Sequence, residues 1–177
     1  IMYRRKILFI IILVIISLLS YLGYNIISKA REKKEIAKQI QTIPRFEFKT
    51  LDNLSFSNIN LKENTSTIFI YFNSECNFCH HEAESISQNL YKFKEIQFVF
   101  VSTENIETIK LFSEQYNLNN QSKITFLYDS NYNFSSLFNA QSIPFILVYD
   151  KNKGLLKKHN GQLNANGILR VLKQNDE

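Results

Sequence analysis

Cys76 and Cys79 are the only cysteines in the sequence, and they stand C-x-x-C at the end of a β-rich apolar run. Thr67–Phe72 (TIFIYF) is almost continuously apolar, the pattern of a strand buried on both faces. A short polar turn follows, and then a polar segment with Ala83, Ile86, Leu90 and Phe93 at helical spacing from Cys76 to about Phe93. A cysteine at such a strand-to-helix junction meets unpaired N–H groups and the positive end of the helix dipole, both of which favour a thiolate. A second cysteine three residues on lies one turn away and can resolve a mixed disulfide formed at the first. In that scheme Cys76 is the nucleophile and Cys79 the resolving thiol. The same residues with His80 also spell C-x-x-C-H, the spacing of a covalent haem attachment.

One stretch decides the domain layout. Residues 7–27 carry no charge, and about 20 apolar residues suffice to cross a bilayer. Arg4, Arg5 and Lys6 precede the stretch, and Lys29, Arg31, Lys33, Lys34 and Lys38 come after it. The formal net charge of +5 is thereby read as membrane-flanking charge, with no nucleic-acid partner expected. An uncleaved anchor is expected; cleavage after Ala30 is the alternative, since Ser28 and Ala30 are small. No cysteine stands near the end of the stretch for a lipid anchor. Ile1 precedes Met2, so initiation is read at Met2 or at a non-standard codon for Ile1. The flanking charges do not favour export of the C-terminal domain. Residues 29–43 (KAREKKEIAKQIQ and the residues after it) read as a helical spacer, and Pro44 marks the start of a domain over 44–177. The expected divisions are therefore an anchor at 1–28, a spacer at 29–43 and one folded domain at 44–177. Two cysteines in one motif argue against a disulfide-stapled scaffold.

Within the domain, Phe46, Phe48 and Leu51 alternate with polar residues as in a first strand, and Leu54–Ser57 reads as its return after the Asp52-Asn53 turn. Asn58–Asn64 reads as a loop or short helical turn. Ile96–Val101 is a second buried strand, and Glu104–Tyr116 an amphipathic helix. Thr125–Tyr128 is a short strand, followed by a short helix through Phe134, Leu137 and Phe138. The strand after Pro144 pairs with Leu155–His159 as a hairpin, Gly161 ends it, and Asn164–Lys173 is the last helix. Asn73 and Ser74 are candidate caps for the helix after the cysteines. The alternation predicts an α/β fold with a mixed central sheet and helices on both faces, behind one N-terminal transmembrane helix.

Three features are shared with one superfamily: the Thr67–Glu84 unit, the Ser142-Ile143-Pro144-Phe145 segment, and the terminal strand–Gly161–helix. From Pro44 to Lys173 the chain resembles the thioredoxin superfamily, and more narrowly the membrane-anchored TlpA/ResA-like thiol–disulfide oxidoreductases of bacteria. The N-terminal anchor, the extra helix and strand before Pro144, and C-x-x-C-x-x-E ending at Glu82 match that narrower group. The resemblance implies a thioredoxin-like fold and a cis Ile143–Pro144 bond facing the cysteines; an ordinary strand-start proline is the other reading. It implies that Ile143, Pro144, Asn77 and Phe78 bind the substrate chain. Glu82, at i+3 from Cys79, either helps proton transfer or is a solvated helix carboxylate. The partners implied are a disulfide-containing protein, a membrane electron donor and the bilayer through residues 7–27. The domain is placed outside the cytoplasm of a bacterial cell membrane, with no cofactor beyond the Cys76–Cys79 couple. The chain departs from thioredoxins in having no Trp, with Glu75 before the first cysteine. His80 and His81 are read as polar residues of the first helical turn. The alternatives are a copper-binding chaperone using Cys76, Cys79 and one of His80, His81 or His159, and haem attachment at Cys76, Cys79 and His80. A peroxidase would need Thr and Pro ahead of the attacking cysteine, and Phe72–Glu75 offers neither.

Overall fold

The computed structural model describes residues 2–174, with side chains described except at 2–11, 32, 33 and 36. Ile1 and residues 175–177, the end of the expected last domain, lie outside the described residues. The chain divides into two compact units, one up to Lys38 and one from Gln39 on. Helix α1, Met2–Gln39, makes up the first except for its last residue, Gln39. Among the described residues its stretch Ile12–Arg31 alone is long and apolar enough to cross a membrane, and none of it is buried within the protein. Leu13, Val14, Ile16, Leu19 and Ile26 are all exposed, so the helix is apolar all round, not along one stripe. The first part of the expected span, residues 7–11, falls outside the described side chains.

The second unit begins ahead of Pro44. Ile40 is 2% exposed and joins the core, and its carbonyl accepts the buried Tyr149 hydroxyl at 3.2 Å. Thr42 bridges to Gly154, and Leu155 N–H donates to the Gln41 carbonyl. A buried tyrosine needs an acceptor, and the segment expected as spacer supplies it.

The sheet holds seven strands: β1 Glu47–Thr50, β2 Ser55–Ser57, β3 Ser66–Tyr71, β4 Ile96–Ser102, β5 Ile124–Tyr128, β6 Phe145–Tyr149 and β7 Leu155–Asn160. Their order is β2-β1-β5-β4-β3-β6-β7. β3, β4 and β5 run parallel; the other pairings are antiparallel. Parallel neighbours require crossovers, and these are α2 Asn77–Asn89, between β3 and β4, and α3 Ile106–Gln115, between β4 and β5. α4 Phe134–Phe138 precedes β6, and α5 Ala165–Lys173 closes the fold.

Residues alternate across the sheet between two apolar cores. Ile68, Ile70, Phe98, Phe100, Ile146 and Val148 face one core, with Ala83 and Ile86 of α2, Phe112 of α3 and Ile168 of α5. Phe69, Val99, Val101, Phe145 and Leu147 face the other, with Phe134 and Phe138 of α4. This is why β3, β4 and β6 read as unbroken apolar runs. α2 is shorter than its spacing predicts: it gives way to a 3-10 turn at Leu90–Lys92, which delivers Phe93 into the core. α3 begins at Ile106, capped by Asn105 Oδ1 on Thr108 N–H, so Glu104 stands outside the helix.

Candidate active site

The carboxyl ends of β3 and β4 lie side by side, since Tyr71 pairs with Val101 and Phe72 N–H donates to the Val101 carbonyl. In open α/β sheets this edge is where sites form. Past Phe72 the chain turns through residues 73–75 into α2. Asn73 Oδ1 accepts Glu75 N–H at 2.8 Å and the Asn73 carbonyl accepts Cys76 N–H at 3.2 Å. Ser74 donates twice to Glu104, through its N–H to Oε2 at 2.7 Å and its hydroxyl to Oε1 at 2.6 Å. Asn73 and Ser74 therefore do not cap the helix as expected. Their groups are consumed in the turn, and the N-cap is Cys76, with no side-chain cap bond. The Cys76 carbonyl accepts Cys79 N–H and His80 N–H, opening the helix at the sulfur-bearing residue.

The two thiols are free and differ in surroundings. Cys76 is partly exposed, and its Sγ lies 3.8 Å from the Ile143 carbonyl oxygen. The Ile143–Pro144 bond is cis, as the resemblance implied. Cys79 is buried in the core with Phe72 and Ala83. Burial chiefly, then its hydrogen bond with Cys76 and the charges of Cys76 and Glu82, push the Cys79 thiol well above its ordinary value. An Asn73 backbone hydrogen bond offsets part of this.

Glu82 is fully buried, which removes the solvated-carboxylate reading. Its Oε2 accepts Leu163 N–H at 2.8 Å, while Oε1 has no hydrogen-bond partner among the described residues. Burial pushes its carboxyl from the ordinary 4.5 up to about 8, against the lowering effect of the Leu163 N–H. Leu163 belongs to the same short loop as Gly161, whose N–H donates to the Pro144 carbonyl at 2.8 Å. Gly161 has φ +89°, which favours glycine there. That loop thus joins the cis-proline segment to Glu82.

The remaining sequence candidates divide. Phe78 is 62% exposed and Ile143 40%, Asn77 is exposed, and Pro144 is buried. His80 turns to α3: its Nδ1 is 2.6 Å from the Tyr116 hydroxyl, and its ring packs on Phe112 and Tyr116. His81 is exposed, and His159 Nε2 is bonded to the Gln162 carbonyl. Among the described residues no three of His, Cys, Asp and Glu gather as metal ligands, so the copper arrangement with His159 is not assembled. Glu104 was missed by sequence reasoning. Its signal was position: an acidic residue just past the end of β4, at the edge where parallel strands gather sites.

The sheet order, the two-faced core and the cysteine pair at the β3–α2 junction define a thioredoxin-like fold with its C-x-x-C in place. More particularly, the chain belongs to the AhpC/TSA family, whose sequence profile matches residues 40–163. No curated protein sequence matches it significantly. Among solved structures, it is similar to a secreted Mycobacterium tuberculosis disulfide oxidoreductase described as homologous to Escherichia coli DsbE. That match has a TM-score of 0.60 and 23% identity over 76% of this chain and 96% of the other. A Neisseria meningitidis protein described as a putative thioredoxin gives a TM-score of 0.63 at 23% identity, covering 76% of this chain and 89% of the other. StoA from Bacillus subtilis gives 0.57 at 17% identity, covering 74% and 98%. At these identities the likeness establishes the fold.

Proposed function

We propose that the protein is a membrane-anchored thiol–disulfide oxidoreductase of the TlpA/ResA-like type that reduces disulfides of partner proteins outside the cytoplasm. The observation that carries this is the asymmetry of the pair: Cys76 is accessible at the N-cap of α2 and beside the Ile143 carbonyl, whereas Cys79 is buried one turn behind it. The Cys76 thiolate attacks one sulfur of a partner disulfide. A Cys76–partner bond forms, and the partner's other sulfur leaves as a thiolate and takes a proton. Cys79 then gives its proton to the Glu82 carboxylate and attacks Cys76 Sγ. The mixed disulfide breaks, the second partner sulfur leaves as a thiolate and takes the proton back from Glu82, and Cys76–Cys79 is left oxidised. Two electrons and two protons pass to the partner per cycle, and a membrane electron donor restores the dithiol. Glu82 suits the proton step because its affinity for a proton is raised to the range where it can accept and return one. Exposed Phe78, Asn77 and Ile143 flank Cys76 and are the surface on which the partner chain lies.

The apolar stretch Ile12–Arg31, none of it buried, supports the anchor. Expressed in a bacterium, Cys79→Ala should fractionate with membranes and carry partner proteins as mixed disulfides released by dithiothreitol. These should form on the face reached by a membrane-impermeant thiol reagent added to intact cells. Capture of nothing by Cys79→Ala, with full disulfide reductase activity in Cys76→Ala, would contradict the scheme. Mixed disulfides found only inside the cytoplasm would contradict the placement.

A further inference from the structure

We propose that Glu104 is a positioning residue for Cys76, acting through Ser74. The inference rests on Cys76 being the attacking sulfur. Ahead of the N-cap, Phe72 N–H goes to the Val101 carbonyl, Ser74 N–H to Glu104, Glu75 N–H to the Asn73 side chain, and Cys76 N–H to the Asn73 carbonyl. The two bonds to Asn73 close the turn upon itself. The side-chain grip tying the turn to the sheet comes from Glu104, at the end of β4. It is two-pronged, one oxygen on the Ser74 hydroxyl and the other on the Ser74 N–H. The carboxylate is fixed in turn by Ser102, whose hydroxyl donates to Oε2 and whose Oγ accepts Glu104 N–H, both at 3.2 Å. Ser102 is fully buried. Among the described residues no ion pair involves Glu104; its partners are neutral donors. Hydrogen bonds from neutral donors to an ionised carboxylate are short and strong. Ser74 is thereby held in backbone and side chain, two residues before the sulfur that must stay at the helix end beside Ile143.

A glutamine at 104 keeps the shape but loses the charge: its one carbonyl oxygen accepts from the Ser74 N–H while its amide can only donate to the Ser74 hydroxyl oxygen, so a charge-assisted contact becomes a neutral one. If Glu104 acted only through its charge, removing that charge would favour the Cys76 thiolate and speed its reactions. A clamp predicts the reverse, so the sign separates the two roles.

The test is the rate of Cys76 alkylation by iodoacetamide, in the full chain in detergent with Cys79→Ala as background. Glu104→Gln should slow alkylation roughly three- to tenfold, the scale of losing one charge-assisted hydrogen bond. Ser74→Ala should slow it similarly. The double variant should be no slower than the worse single one, because both changes break one contact. Ser74→Thr, which keeps the hydroxyl, should retain the parent rate, as should Glu107→Gln on the exposed first turn of α3. An unchanged or faster rate in Glu104→Gln would overturn the inference, as would independent, multiplying effects in the double variant. Should Glu104→Gln lose its thermal unfolding transition, Ser74→Ala against Ser74→Thr decides: equal rates in that pair overturn the clamp. Alkylation involves no disulfide, so its result is separate from whether the pair acts on partner proteins.

Discussion

Glu82 sets stability against proton chemistry. Its carboxyl is wholly inside the domain, with one oxygen bonded to Leu163 N–H and the other without a partner among the described residues. An ionised carboxylate there is costly, so the folded protein holds a proton that the unfolded chain releases. Between the ordinary 4.5 and about 8 the folded state binds more protons. Stability therefore falls as pH rises through that window and levels off above it; below 4.5 both states are protonated and the penalty vanishes. Glu82→Gln should flatten this dependence. At a pH of about 8.5 it should be more stable than the parent by on the order of a few kcal/mol, measured by denaturant unfolding. Parallel stability–pH curves for the two proteins would contradict this. That Glu82 shares a helix face with Cys79 was legible from their i+3 spacing. Its burial was not, because the Leu163 loop that covers it comes from 81 residues away. The place of Glu104 just past β4 was likewise legible, but its grip on Ser74, 30 residues back, was not.

The elements end where asparagine allows the chain to turn. Asn53, Asn64, Asn117 and Asn139 all take positive φ, a region other L-residues enter at a cost. The chain has only four glycines, of which Gly161 is in that region; of the eight described residues with positive φ asparagine supplies half, and Glu95, Tyr132 and Lys153 the other three. Asn117, at φ 54°, is exposed just beyond α3, and its side chain is not needed for packing. Asn117→Val should cost about 1–2 kcal/mol, seen as a lower denaturant midpoint with an unchanged slope; Asn117→Gly should not. An unaltered midpoint in the valine variant would contradict the assignment. The buried strands were readable because each must present apolar groups to both cores, which leaves a continuous apolar run. The start of α2 at Cys76 was readable too, but its cap was not. Asn73 and Ser74 are good caps by type, but a strand-to-helix turn this tight uses them for its own N–H groups and for Glu104.

On the scale of the whole molecule, the fold gathers the ends of β3 and β4, the cis-proline segment before β6 and the Gly161–Leu163 loop at one place. None of these is adjacent in sequence, yet the resemblance to thioredoxins brought the cysteines and Pro144 together in advance. What it did not reach was the start of the folded unit at Gln39, because Ile40 is recruited by Tyr149, far along the chain. The family and fold leave the direction of electron flow to the energetics of the couple, and a reductase must hold its disulfide form the more stable. Equilibrating the full chain with graded thiol–disulfide buffers and counting free thiols gives the Cys76–Cys79 reduction potential. A reductase predicts a single two-electron couple near the thioredoxin value of about −270 mV. A couple near about −120 mV, the range of a strong oxidant, or no reversible couple between these cysteines, would contradict it.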